Sequence, residues 1–170
     1  MRKIKLYIAN SLDNYIARED GDVSWLLTDL DYGWEEFYAS VDTVLMGRKS
    51  HEKAVALGMT HYGGKKNYVF SRTVMESEID ELEYVSSDFK EFTETLKSRE
   101  GDDIWLVGGG NLIKQFLNHR LVDEIVLFVH PVLLGKGIPL FLPFEEEIDL
   151  KLIETKTFNN GIVKLAYAQK

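Results

Sequence analysis

The sequence predicts a three-layer α/β fold: a mixed, mostly parallel central sheet that ends in a C-terminal antiparallel hairpin. Three observations predict it. Short runs at residues 4–9, 43–46, 67–70, 104–107 and 124–129 are largely apolar on both faces, as strands inside a sheet covered on both sides are. Helical periodicities lie between these runs. At the end of the chain, extended segments 151–158 and 162–168 flank Asn159-Asn160-Gly161, whose Asn-Gly step tolerates the positive φ of a hairpin turn. Repeated β–α units followed by antiparallel strands give this layering.

Each helix has its own signal. Trp34, Phe37, Tyr38 and Val41 fall at i, i+3, i+4 and i+7, one face of a helix. Asp88-Phe89-Lys90-Glu91 resembles a capping box, with Phe89, Phe92 and Leu96 on the inner face of the helix it opens. Leu112, Ile113, Phe116 and Leu117 form another apolar stripe, and residues 50–57 suit a short helix. No repeat, low-complexity tract or linker divides the 170 residues, so one domain over residues 1–170 is expected.

Composition narrows the function. Hydrophobic residues make up 45% of the chain, enough for a packed core. The formal net charge is −8 with scattered Lys and Arg, unlike the basic patch that phosphate neutralisation requires of a nucleic-acid binder. No cysteine is present, which excludes disulfides, thiolate catalysis and cysteine zinc sites. The four histidines, at positions 51, 61, 119 and 130, have no metal-ligand spacing, so no metal is expected and His130 reads as structural. The first residues lack the pattern of a signal peptide, and no run approaches the roughly 20 apolar residues of a membrane span. A soluble, cytoplasmic protein without membrane partners is the expectation.

The chemistry gathers where strands end. In Ile104-Trp105-Leu106-Val107-Gly108-Gly109-Gly110-Asn111-Leu112-Ile113 a buried strand stops in glycines and a helix begins. Glycine lets a ligand approach the main chain, and a helix N-terminus offers unpaired N–H groups and partial positive charge, a site suited to phosphate. A tight connection without a ligand is the other reading. The segment is not a G-x-G-x-x-G fingerprint, because position 113 is Ile, nor a Walker loop. Met46-Gly47-Arg48-Lys49-Ser50 repeats the strand–glycine–helix pattern with two cations and a hydroxyl, and an anion there would offset the cations' opposition to the helix dipole. In Phe70-Ser71-Arg72-Thr73, hydroxyls and a guanidinium suit a phosphate monoester. Each turn alone also reads as solvated loop. Three such ends in one sheet favour a long, multiply phosphorylated ligand.

Together with Ile8-Ala9-Asn10-Ser11-Leu12-Asp13-Asn14-Tyr15-Ile16-Ala17 near the start, these segments resemble the dihydrofolate reductase superfamily in order and separation over nearly the whole chain. The riboflavin-biosynthesis reductase branch is the closer likeness, on residues 11–17, Leu121-Val122-Asp123-Glu124-Ile125 and His130-Pro131-Val132-Leu133-Leu134-Gly135-Lys136-Gly137. The resemblance implies a dihydrofolate-reductase-like fold that binds NADPH. It implies Ala9 and Ile16 beside the nicotinamide. Gly47, Arg48, Lys49 and Ser50 would hold the pyrophosphate from one side, with Val107, Gly108, Gly109, Gly110, Asn111 and Leu112 on the other. Ser71 and Arg72 would meet the 2′-phosphate, which favours NADPH over NADH.

The substrate side is less completely matched. The folate enzymes orient a pterin with a carboxylate paired to a Thr. Asp29 and Asp31 are the candidate catalytic carboxylates here, with loop or helix capping as their other reading, and Val129 takes the place expected for the Thr. Lys65 stands where those enzymes carry an Arg, and a lysine lacks the bidentate fork. Asp13 either contacts substrate or caps its own turn, and Trp25 is either a pocket wall or a core aromatic. The riboflavin enzyme's Glu before the glycines is replaced by Val107, and its cysteine-containing deaminase motif is absent. The expected activity is hydride transfer from NADPH to a small pterin-like or pyrimidine-like heterocycle or a carbonyl compound. The alternative is a non-catalytic nucleotide-binding or regulatory module. The resemblance and the apolar strand 125–129 suggest a homodimer, with burial of that strand inside one domain as its other reading.

Overall fold

The computed structural model describes residues 1–170. In chain order the elements are β1 (Ile4–Ser11), β2 (Tyr15–Ala17), α1 (Trp34–Ala39), β3 (Val41–Gly47), α2 (Arg48–Ala56), β4 (Lys66–Phe70) and β5 (Leu82–Val85). They continue with α3 (Phe89–Ser98), β6 (Asp103–Gly108), α4 (Gly110–Asn118), β7 (Glu124–His130), β8 (Ile138–Pro139), β9 (Leu150–Thr157) and β10 (Val163–Gln169). An eight-stranded sheet runs β5-β4-β3-β6-β1-β7-β10-β9. The strands from β5 to β7 are parallel, and β10 and β9 complete the sheet antiparallel. This is the predicted α/β architecture, mostly parallel with a terminal hairpin. No helix is long and apolar enough to cross a membrane.

Strand alternation divides the core into faces. Ile4, Leu6, Leu45, Ile104, Leu106 and Ile125 pack under α3 and α4 against Leu96, Ile113 and Phe116. The opposite face carries Val44, Met46, Val69 and Trp105 under Phe37 of α1. Farther along that face, Val126 and Phe128 of β7 meet Ile162 and Ala166, with Tyr7, Ala9, Tyr32 and Phe158 against them. Full burial on both faces explains why the central strands lack alternation in the sequence.

Some boundaries differ from expectation. Helix α1 stops at Ala39, and Val41 begins β3. The Val41 match to a helical stripe is a coincidence of spacing, because Ser40 caps the helix and the chain turns into the sheet. Helix α2 starts at Arg48, two residues before the expected start, because Gly47 itself is the N-cap. The Asp88 cap forms as read, its side chain accepting from the Glu91 N–H at 2.9 Å. Strand β5 gave little signal, having four residues with exposed Glu83 among them. The β2–β8 ribbon is shorter still, and it takes up the glycine-rich loop near Gly137. Strand β7 is interior, bonded to β1 and β10. Its apolar character therefore reflects burial within one chain and does not support a dimer, and the free edge on this side is β9.

Candidate functional site

The carboxyl ends of β4, β3, β6 and β1 lie side by side, because these strands are parallel neighbours in that order. Strands sit about 4.8 Å apart, so the four ends span roughly 14 Å. The three turns read from the sequence are thus contiguous. Hydrogen bonds join them. Ser50 Oγ accepts from the Gly109 N–H at 3.0 Å, linking the β3 turn to the β6 turn. The Arg48 guanidinium donates to Thr73 Oγ1 at 3.2 Å, linking the β3 turn to the β4 turn, while its Nε pairs with Glu52 at 2.6 Å. Lys49 and Arg72 are exposed. Ser71 is buried, and its Oγ accepts from the Thr73 N–H at 3.2 Å.

The two glycine turns differ in how strictly they need glycine. Gly108 has φ 107°, and a Cβ there would come within 2.9 Å of Ile113. A Cβ on Gly109 would lie 2.8 Å from Ser50 Oγ. Gly47 has an ordinary φ of −80°, and a Cβ on it would meet nothing closer than 3.7 Å. The Gly108–Gly109 peptide is cis. Helices α2 and α4 both open at this edge with no side-chain cap, so their first amides and positive dipole ends face the same strip. The arrangement can take an extended anion, and its donor set of helix amides, Arg48, Lys49, Ser71 and Arg72 fits a phosphorylated dinucleotide.

Two of the expected contacts have other occupations. Leu112 is buried in the core, and its N–H donates to the Gly109 carbonyl at 2.9 Å; the helix's own first turn consumes that donor. Val107 packs with the aromatic cluster around Trp105. Asn111 is exposed beside the turn. Ala9 lies with Phe128 on one face, whereas Ile16 of β2 packs against the cluster under α4. The structure does not bring those two side chains into one cluster.

The acidic candidates hold loops together. Both Asp31 oxygens accept backbone N–H groups, from Gly33 at 2.9 Å and Glu35 at 3.1 Å, which caps the start of α1. Asp29 accepts from the Tyr32 hydroxyl and from Asn160 Nδ2, tying this loop to the terminal hairpin turn. The Tyr32 bond, assisted by Asn160, holds the exposed Asp29 carboxyl below its ordinary pKa. Asp13 accepts from Ser11 Oγ at 2.7 Å and from the N–H groups of Leu134 and Gly135 at 3.1 and 2.7 Å. It caps its turn and fastens the 135–139 loop to it. These are the capping occupations that the sequence also allowed. Lys65 donates to the carbonyls of Tyr38 and Val41 at 2.7 and 2.6 Å; it secures the α1–β3 connection.

The β1–β7 register decides which of two neighbours shares a face with Ala9. The β1–β7 register sets Ala9 opposite Phe128 and Ser11 opposite His130. With Phe128 on the Ala9 face, alternation turns His130 to that face and Val129 away from it. His130 is therefore the residue of this pair on the Ala9 face, at the strand end. Trp25 packs edge to face on it, with centroids 5.3 Å apart. Tyr7 lies on the same face, stacked on Phe37 at 3.8 Å. Burial, then the charge of Asp31, push its phenol well above the ordinary range. A surface hollow of about 400 Å³, lined by Arg2, Ser98, Arg99, Glu100 and Asp103 among others, lies at the opposite, amino edge.

Comparison with known proteins adds a family. Residues 63–164 match the RibD C-terminal domain. The chain is 39% identical to the uncharacterized protein YyaP of Bacillus subtilis, covering 98% of this chain and 94% of that one. A crystal structure of a Shewanella sp. PV-4 protein, provisionally assigned to riboflavin biosynthesis, superposes with a TM-score of 0.89 at 27% identity, covering 100% of this chain and 99% of that one. A Thermotoga maritima protein described as a diaminohydroxyphosphoribosylaminopyrimidine deaminase and 5-amino-6-(5-phosphoribosylamino)uracil reductase has the same fold. Its TM-score is 0.79 at 18% identity, and the match covers 99% of this chain and 57% of that one.

Proposed function

Because this chain belongs to the RibD C-terminal domain family, we propose that it is an NADPH-dependent reductase of a small heterocycle, pyrimidine-like before pterin-like. The observation that carries the reading is the contiguous strip at the ends of β4, β3 and β6, cross-linked by Ser50–Gly109 and Arg48–Thr73. NADPH, when bound, supplies the hydride. The residues of the chain bind and orient. The open helix ends with Arg48 and Lys49 take the pyrophosphate, and Ser71 with Arg72 takes the 2′-phosphate. The glycines keep side chains out of the path, and the end of β1 at Ala9 receives the nicotinamide.

The reading requires a preference for NADPH over NADH. Thermal shift and fluorescence titration with both cofactors test it, and equal responses would sink it. Arg72→Ala should weaken NADPH by about tenfold or more, one charge-assisted contact, and leave NADH nearly unchanged. A second reading, a nucleotide-binding module without turnover, is favoured by the loop duties of Asp29 and Asp31. NADPH binding without its oxidation, across pyrimidine, pterin and carbonyl substrates, would select that reading.

A further inference from the structure

Beside the strip, at the end of β7, two buried nitrogens lack partners. His130 is 3% exposed, and its Nδ1 lies 3.0 Å from the Phe128 carbonyl oxygen. A carbonyl only accepts, so Nδ1 carries a proton, and in that tautomer of the imidazole Nε2 presents a lone pair. That Nε2 is buried without a hydrogen bond, and so is Nε1 of Trp25, a group that only donates. The two rings stand edge to face at 89° with centroids 5.3 Å apart, yet the donor and the acceptor do not bond each other. Native interiors seldom leave such groups unpaired, because each loses its water without replacement. An unpaired acceptor and an unpaired donor on touching rings match a ligand with the inverse pair on one edge, which reaches them when the part-exposed Trp25, on the connection between β2 and α1, turns aside from His130.

We propose that Trp25 and His130 together read the edge of a planar amide, whose carbonyl oxygen accepts from Trp25 Nε1 and whose N–H donates to His130 Nε2. Register places this pair next to the end of β1, since His130 lies opposite Ser11 and Phe128 opposite Ala9. Two ligands of the proposed reaction carry such an edge: a pyrimidinone ring through its lactam, and nicotinamide through its carboxamide. The choice of ligands rests on the reductase reading, whereas the donor–acceptor geometry does not.

The test uses the full chain, with 5,6-diaminouracil and NADPH as separate probes. Trp25→Phe keeps an aromatic ring and removes the N–H. It should weaken 5,6-diaminouracil about tenfold if the lactam is read, or NADPH about tenfold if the carboxamide is read, the size of one hydrogen bond. In the unaltered protein, the ¹⁵N-labelled Trp25 indole resonance, identified by its absence from the variant, should shift on adding that same probe. This second readout holds even if the variant folds poorly. The 1,3-dimethyl derivative of 5,6-diaminouracil and the 3-acetylpyridine analogue of NADPH lack the N–H meant for His130. The analogue of whichever probe is read should bind more weakly than its parent. Unchanged affinities for both probes together with an unmoved indole resonance would overturn the proposal and leave the two rings as mere packing. The reductase reading fails by a different result, equal NADPH and NADH responses, in which Trp25 plays no part.

Discussion

The two edges of the parallel sheet are built from different chemistry. At the amino edge the charges on the sheet strands are paired. Arg2 is buried and bonds Asp42, Thr43 and the Asp102 carbonyl. Lys5 lies 2.8 Å from Asp103, and Lys97 lies 2.6 Å from Asp123. At the carboxyl edge, glycines replace side chains, helices open without side-chain caps, cations point outward, and the buried nitrogens of Trp25 and His130 are unmatched. The first edge locks strand ends together. The second opens its helices without side-chain caps and leaves Lys49 and Arg72 exposed, as the proposed cofactor edge requires. The same parallel strands supply both, so direction along the strand separates the paired edge from the proposed binding edge.

The contrast can be broken most sharply at Gly108. Gly108→Ala forces a side chain into φ 107° and against Ile113. It should cost about 2–3 kcal/mol, lowering Tm by roughly 4–10 °C for a chain of this size. Gly47→Ala, at an ordinary φ with room for a Cβ, should cost less than about 1 kcal/mol. Calorimetry on the two variants measures the difference, and equal losses would mean that the turns are equivalent after all.

The matching test at the amino edge is Asp42→Asn. It leaves the buried Arg2 guanidinium without its countercharge. Because Asp42 is 38% exposed, the expected loss is discounted to about 1–2 kcal/mol. Urea unfolding should register it while NADPH affinity stays unchanged. A loss of cofactor affinity would show that the two edges are coupled.

The smallest effect concerns pH. The Ser11 hydroxyl, then the Leu134 and Gly135 amides, hold the Asp13 carboxyl below its ordinary value of 3.8. A depressed folded pKa means that the contribution is present at neutral pH and fades as acid is added, through 3.8 and on to the lower folded value. Hydrogen exchange at the Leu134 and Gly135 amides should therefore be slow at neutral pH and lose protection only in strong acid. In Asp13→Asn protection should be reduced at every pH and independent of acid. Persistent acid dependence in the variant would assign the titration to another group.

The parts of this molecule readable in advance were those set by local chemistry. The central strands, the Asp88 cap and the strand–glycine–helix turns each carry their cause in adjacent residues. Glycine at position 108 is demanded by its own φ, and the Phe89 stripe by its own periodicity. What escaped depends on partners distant in the chain. Asp13 was legible as a cap of its own turn, but its bonds to the Leu134 and Gly135 amides exist only because that loop folds back onto it, and those of Lys65 only because α1 ends beneath it. Strand β5 is too short to announce itself without β4 alongside. Which of Val129 and His130 shares the Ala9 face was likewise hidden, because only the β1–β7 register decides it.

The central place of β1 has a consequence for how the protein is made. Its partners on either side begin at Asp103 and Glu124, with Leu6 set against Leu106 and Ile125. During synthesis β1 therefore remains without either neighbour until β6 has been made. Throughout that interval an apolar segment with unpaired backbone is open to wrong pairing. Translation speed and early capture by a chaperone should govern the yield of this protein more than its final stability does.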